Sequence, residues 1–103
     1  MTYRLVITQR AEELLENIIL YVAVKLSNKS AAAEILTDVE KVYAKLEYMA
    51  ETFAFCEDPV LSSRGFRKVH LEHHDYVILF KVEAETVTIE GIFHELENYG
   101  KKI

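Results

Sequence analysis

The chain predicts an α+β domain: an antiparallel four-stranded sheet with an N-terminal helical hairpin packed on one face, in the order β-α-α-β-β-β, ending in a short C-terminal helical turn. Three observations lead there. Residues 64–94 hold three β-rich runs separated by short polar turns at 72–75 and 83–85, the pattern of an antiparallel meander. The middle run, Tyr76-Val77-Ile78-Leu79-Phe80, is apolar at every position, so it must be covered on both faces or lie at the sheet centre. Two amphipathic stretches before the meander supply a cover.

In chain order, Tyr3-Arg4-Leu5-Val6-Ile7 alternates and is rich in β-branched residues, which predicts a short first strand. Thr8 is placed to cap the helix that follows, and Glu12 and Glu13 complement its dipole. Ala11, Leu14, Leu15, Ile18 and Val22 form one apolar stripe at three-and-four spacing. Leu26-Ser27-Asn28-Lys29 ends that helix. Ser30 is expected to cap a second, whose Ala32, Ile35, Leu36, Val39, Val42, Leu46 and Met49 share a face. A short turn between the two makes a hairpin. From 51 to 63 the periodicity fails and Pro59 intervenes, predicting a long loop that Phe53 and Phe55 pin to the core. Gly65 frees the backbone ahead of the second strand.

The 103 residues make a single domain, 1–103, with one core and no need of disulfide or metal staples. Half the residues are apolar and Gly and Pro are few, which excludes a linker or a disordered tail. The lone Cys56 excludes an internal disulfide and, lacking cationic or CxxC context, reads as an inert thiol of a reducing cytoplasm. No run approaches a membrane span and the N-terminus does not read as a signal peptide. The net charge of −5 argues against generic nucleic-acid or membrane-surface binding. That charge is uneven: residues 62–103 are nearly balanced, which leaves room for a local cationic patch.

Period-two geometry puts Arg67, Val69 and Leu71 on one face of their strand and Val77, Leu79 and Lys81 on one face of the next. A base at the end of each row suggests an anion-holding pair at one sheet rim, with Arg64 in reach. The alternative is that these bases solubilise strand edges or pair with Glu72, Glu83 and Glu90. His94 closes the last strand, five residues before Tyr99, and a histidine can serve as general acid or base near neutrality. His70, His73 and His74 form an H-x-x-H-H cluster. In an extended strand His70 and His73 point to opposite faces and no Cys completes a set, so neither a metal nor another cofactor is expected.

The whole pattern resembles the RelE/ParE superfamily of toxins from bacterial type II toxin–antitoxin pairs. The resemblance rests on Tyr3-Arg4-Leu5-Val6-Ile7-Thr8 followed by Ala11-Glu12-Glu13-Leu14, on Leu26-Ser27-Asn28-Lys29-Ser30-Ala31-Ala32, and on Arg64-Gly65-Phe66-Arg67-Lys68-Val69. It continues through Asp75-Tyr76-Val77-Ile78-Leu79-Phe80-Lys81-Val82 and Val87-Thr88-Ile89-Glu90-Gly91-Ile92-Phe93-His94.

That resemblance implies a cytoplasmic toxin held by a cognate antitoxin protein, alone or in a dimer or hetero-oligomer. In the nuclease branch it implies ribosome-dependent mRNA cleavage without metal, in which the ribose 2′-hydroxyl attacks the phosphate. By position, Arg67 and Lys81 become the phosphate cations, His94 the acid or base, and Tyr99 a stacking or proton-donating group. Arg64 and Lys68 support substrate binding. Two features depart from the nuclease pattern: Glu95 and Leu96 stand where family members commonly carry Arg-Arg, and the chain is acidic. The branch that inhibits DNA gyrase shares the fold and needs no catalytic set. A degenerate toxin that only binds its antitoxin is the third reading.

Overall fold

The alternating run after Tyr3 forms β1 (Arg4–Ile7), with Leu5 and Ile7 turned toward the core and Arg4 and Val6 outward. The computed structural model describes residues 2–103. Thr8 ends the strand and starts the helix in one step. Its Oγ1 accepts from the Ala11 N–H at 3.1 Å and donates to the Ile89 carbonyl at 2.9 Å, which bolts the turn to the sheet. Helix α1 (Gln9–Leu20) then runs into a π-helical turn, Tyr21–Lys25, and α2 (Lys29–Met49) returns beside it. The cap of α2 is Asn28, whose Oδ1 accepts from the Ala31 N–H at 3.0 Å, and not the expected Ser30. Asn is among the strongest capping side chains, so the start of α2 moves to the earlier competitor.

The buried stripe of α2 is Ala32, Ile35, Asp38, Val39, Val42 and Leu46. Leu36 and Met49, read from sequence as part of it, are 40% and 44% exposed. Residues 51–63 are not wholly loop. A 3-10 turn at Ala50–Thr52 is followed, after Asp58 caps it, by the short α3 (Pro59–Ser63), with Pro in the first turn where it costs no hydrogen bond. Gly65, at φ +85°, turns the chain into β2.

Strands β2 (Phe66–His70), β3 (Tyr76–Glu83) and β4 (Thr86–His94) form the expected antiparallel meander. The sheet as a whole is mixed, however, and the all-antiparallel expectation is corrected. Its order is β1-β4-β3-β2, and β1 lies parallel to β4, with Arg4 opposite Thr86 and Ile7 opposite Ile89. Alternation of side chains is the same in parallel and antiparallel strands, so β1's residues carry no sign of its direction. The helical hairpin returns the chain at the far side, and that route sets it.

Val77, Ile78, Leu79 and Phe80 are at most 1% exposed, so both faces of β3 are covered. On one face Ile78, Phe80, Val87, Ile89 and Ile92 pack under α1 and α2. On the other, Phe66, Val77, Leu79 and Phe93 pack under Cys56 and Leu61, with Tyr99 and Ile103 of the C-terminal tail against them. A register shift in β4 beside Leu79 and Phe80 makes Glu90 the extra residue, so that Ile89 and Ile92 face the same side although three apart. No helix among the described residues is long and apolar enough to cross a membrane.

Candidate functional site

The sheet register decides where each expected site residue lies. Arg67 stands opposite Phe80, on the face that carries the helices, whereas Lys81 stands opposite Phe66, on the face under α3. The two cations therefore lie on opposite faces of the sheet. His94 pairs with Tyr76, five positions from Lys81 along β3, which is about 17 Å at the rise of an antiparallel strand. The expected convergence of Arg67, Lys81 and His94 at one rim does not occur.

Arg67 and His94 are each held by local partners. Arg67 Nη1 donates to the Phe53 carbonyl at 2.7 Å and the Glu51 carbonyl at 3.3 Å, and its guanidinium lies 3.9 Å from the centre of the Phe55 ring. The loop after α2 is thus clasped to β2. Glu51 is held again from its side chain, which accepts from the Tyr3 hydroxyl at 2.8 Å; that bond to a carboxylate pushes the Tyr3 pKa up. The His94 ring meets Tyr76 edge-on at 5.4 Å, and its Nδ1 accepts from the Leu96 N–H at 3.1 Å.

On the α3 face, Lys81 and Arg64 do come together. Both sit over the Phe66 ring, at 4.5 and 5.3 Å from its centre, and with Arg10, Thr8, Glu90 and Ile103 they line a hollow of about 180 Å³. Lys68 shares that face but reaches Glu57, 3.6 Å away. Tyr99 stacks on Phe93, ring centres 5.9 Å apart, as part of the tail's cover. Cys56 is buried, and burial pushes its thiol pKa up, which leaves it a poor nucleophile.

A larger groove, about 390 Å³, opens between α1 and the end of β4, with Leu14, Ile18, Tyr21, Tyr76 and Ile92 as its apolar wall. It exists because β1 stops opposite Ile89, leaving the last residues of β4 without an outboard strand. The outward N–H of His94 is satisfied instead by Glu97 Oε1 at 2.9 Å. The Lys102 ammonium and that N–H, against partial burial, hold the Glu97 carboxyl below its usual range. A second, wholly apolar trough of about 320 Å³ runs on the outside of the helical hairpin, over Leu15, Ile19, Leu20 and Leu36, with Glu12 and Glu16 at its rim.

The histidine turn finds partners that local spacing did not reveal. Asp38, 1% exposed, accepts from the His73 backbone N–H and from His73 Nδ1, each at 2.9 Å. Burial works to raise the Asp38 carboxyl, but the two bonds from His73 prevail and lower it, while Asp38 raises the His73 imidazole. One turn away on α2, Glu34 meets His74 Nε2 at 2.7 Å, and His70 pairs with Glu95 at 3.5 Å. Asp38, Glu72 and His73 each bring one donor atom within 4.8 Å of the others. The missed signal is an Asp three residues after Ile35 and next to Val39, a charge on a stripe that should be apolar.

A family model described as the ParE toxin of the type II toxin–antitoxin system matches residues 5–99. A solved structure described as the chromosomal ParDE TA system from P. aeruginosa is similar over 90% of this chain and 96% of that one, with a TM-score of 0.73 and 23% identity. At that identity the likeness shows a common fold. Among curated proteins, none matches the sequence.

Proposed function

From the premise that the chain belongs to the ParE toxin family of type II toxin–antitoxin systems, we propose that it acts in the cytoplasm by binding a protein target, DNA gyrase, and not by cutting mRNA on the ribosome. The observation that carries this reading is the dispersal of Arg67, Lys81 and His94. Cleavage through a 2′-hydroxyl needs cations on the phosphate and a proton-transfer group within hydrogen-bond reach of one another's substrate atoms. Here one cation is spent on loop carbonyls, another lies across the sheet, and the histidine sits about 17 Å along the strand. The net charge of −5 works the same way, since phosphate contacts dominate affinity for RNA.

The test pairs two measurements. The purified toxin is expected to inhibit gyrase-catalysed supercoiling, and cells expressing it are expected to keep intact mRNA while inducing a DNA-damage response. His94→Ala is expected to remain toxic. Codon-register mRNA ends that vanish in His94→Ala would overturn the reading in favour of the nuclease branch.

The antitoxin is the other partner. The apolar trough over Leu15, Ile19, Leu20 and Leu36, rimmed by Glu12 and Glu16, suits an amphipathic helix with bases along its flanks. An antitoxin segment that places acids against Glu12, Glu13 and Glu16 would contradict that placement.

A further inference from the structure

We propose that α2 and the turn between β2 and β3 together form a binding site for one divalent ion of the zinc class, held by Asp38, Glu72 and His73. The three donor atoms already lie within 4.8 Å of one another, and they come from two elements that the fold clamps together. One imidazole nitrogen and two carboxylates are a donor set that borderline divalent ions accept.

The pair at the centre is preorganised. Asp38 is 1% exposed and lies on the buried stripe between Ile35 and Val39, so its carboxylate cannot swing out to water. One oxygen is pinned by the His73 backbone N–H, which leaves Oδ1 facing the imidazole Nδ1 at 2.9 Å. Two ligands bound at zinc distances and tetrahedral angle stand about 3.3 Å apart, so a small opening of this contact admits an ion. The ion takes the place of the proton that now bridges Nδ1 and Oδ1. His73 and Glu72 face solvent, with side chains 45% and 63% exposed, which gives an approach path and leaves a coordination position for water.

The surrounding charge favours a cation. Glu34 sits one helical turn from Asp38, and the nearby base, Lys41, is 4.0 Å from Glu72 on an exposed side chain, a surface pair too weak to hold Glu72 against a divalent ion. His74 is engaged by Glu34 and His70 by Glu95, so neither belongs to the site. A bound ion bolts the meander's first turn to the middle of α2.

The experiment titrates the purified full-length chain, stripped by a chelator, with Zn²⁺ while calorimetry reads stoichiometry and NMR reads the four imidazoles. The expected result is one ion per chain, with the His73 ring shifting first. Losing a ligand is expected to cost at least the about tenfold in affinity that losing a supporting partner does, so His73→Ala and Glu72→Gln both weaken binding while His74→Ala does not. Glu72 is exposed and, among the described residues, makes only the 4.0 Å surface pair with Lys41, so its variant tests the site even where an Asp38 variant fails to fold. Zn²⁺ is also expected to raise the unfolding temperature of the parent chain and not of Glu72→Gln. No saturable binding, or binding that survives His73→Ala, overturns the proposal.

Discussion

Arg67→Ala separates a structural arginine from a phosphate-binding one. The variant loses a short, half-buried bond to the Phe53 carbonyl, a longer exposed one to the Glu51 carbonyl, and a face contact with Phe55. A charge-assisted bond to a backbone acceptor contributes about 1 kcal/mol after discounting for exposure, and the weaker one about half that. The cation–π contact with an exposed ring adds about 0.5 kcal/mol. Together the loss is about 2 kcal/mol, or a fall in unfolding temperature of about 8–16 °C for a chain this size. Arg67→Lys should recover little, because an ammonium cannot reach two carbonyls and stack on the ring at once. Thermal unfolding followed by circular dichroism, together with proteolysis of residues 51–58, reads the effect. An Arg67→Ala protein that melts with the parent yet has lost its toxicity would refute the reasoning and return Arg67 to a substrate.

Gly91→Ala should destabilise by about 1–3 kcal/mol, since a Cβ there stands 2.7 Å from the Phe93 ring and 3.3 Å from a Leu14 methyl; an unchanged unfolding midpoint counts against this packing. Asn28→Ala should cost about 1 kcal/mol while Ser30→Ala stays near neutral; the opposite order in urea melts would return the cap of α2 to Ser30. Thr8→Val removes both the N-cap acceptor and the donor to Ile89, with an expected loss of about 1–2 kcal/mol, and equal stability would show that the bolt between β1 and α1 carries no load. The Glu97 carboxyl titrates below its ordinary 4.5, so its contact with the His94 N–H is present above that pH and is lost as pH falls through the lowered value. The protection of the His94 amide, taken relative to its intrinsic exchange rate at each pH, should therefore stay level between about pH 5 and 7 and drop only below 4.5; loss of protection in the upper range would contradict the assignment.

The chemistry was less readable than the packing because it depends on which face a residue takes. Arg67 and Lys81 were each placed correctly within their own rows, Arg67 with Val69 and Lys81 with Leu79. Joining those rows into one rim takes a register between the strands, which spacing within each row does not supply. The observed pairing of Arg67 with Phe80 is off by one residue from a pairing with Lys81, and a shift of one residue exchanges the faces of a strand. The histidine turn is hard to read for another reason: its partners Asp38 and Glu34 come from a helix more than thirty residues earlier.

The sequence by itself determined the four strands and the two long helices, their order, the doubly covered β3 and the Thr8 start of α1, because these follow from periodicity and from side chains acting within a few residues of themselves. Only the tertiary structure decided that β1 runs parallel to β4, that Arg67 serves a loop and not a ligand, and that Asp38 meets His73. Those outcomes depend on register and on the path of a crossover, which are set by packing between segments distant in the chain and leave no mark in local spacing.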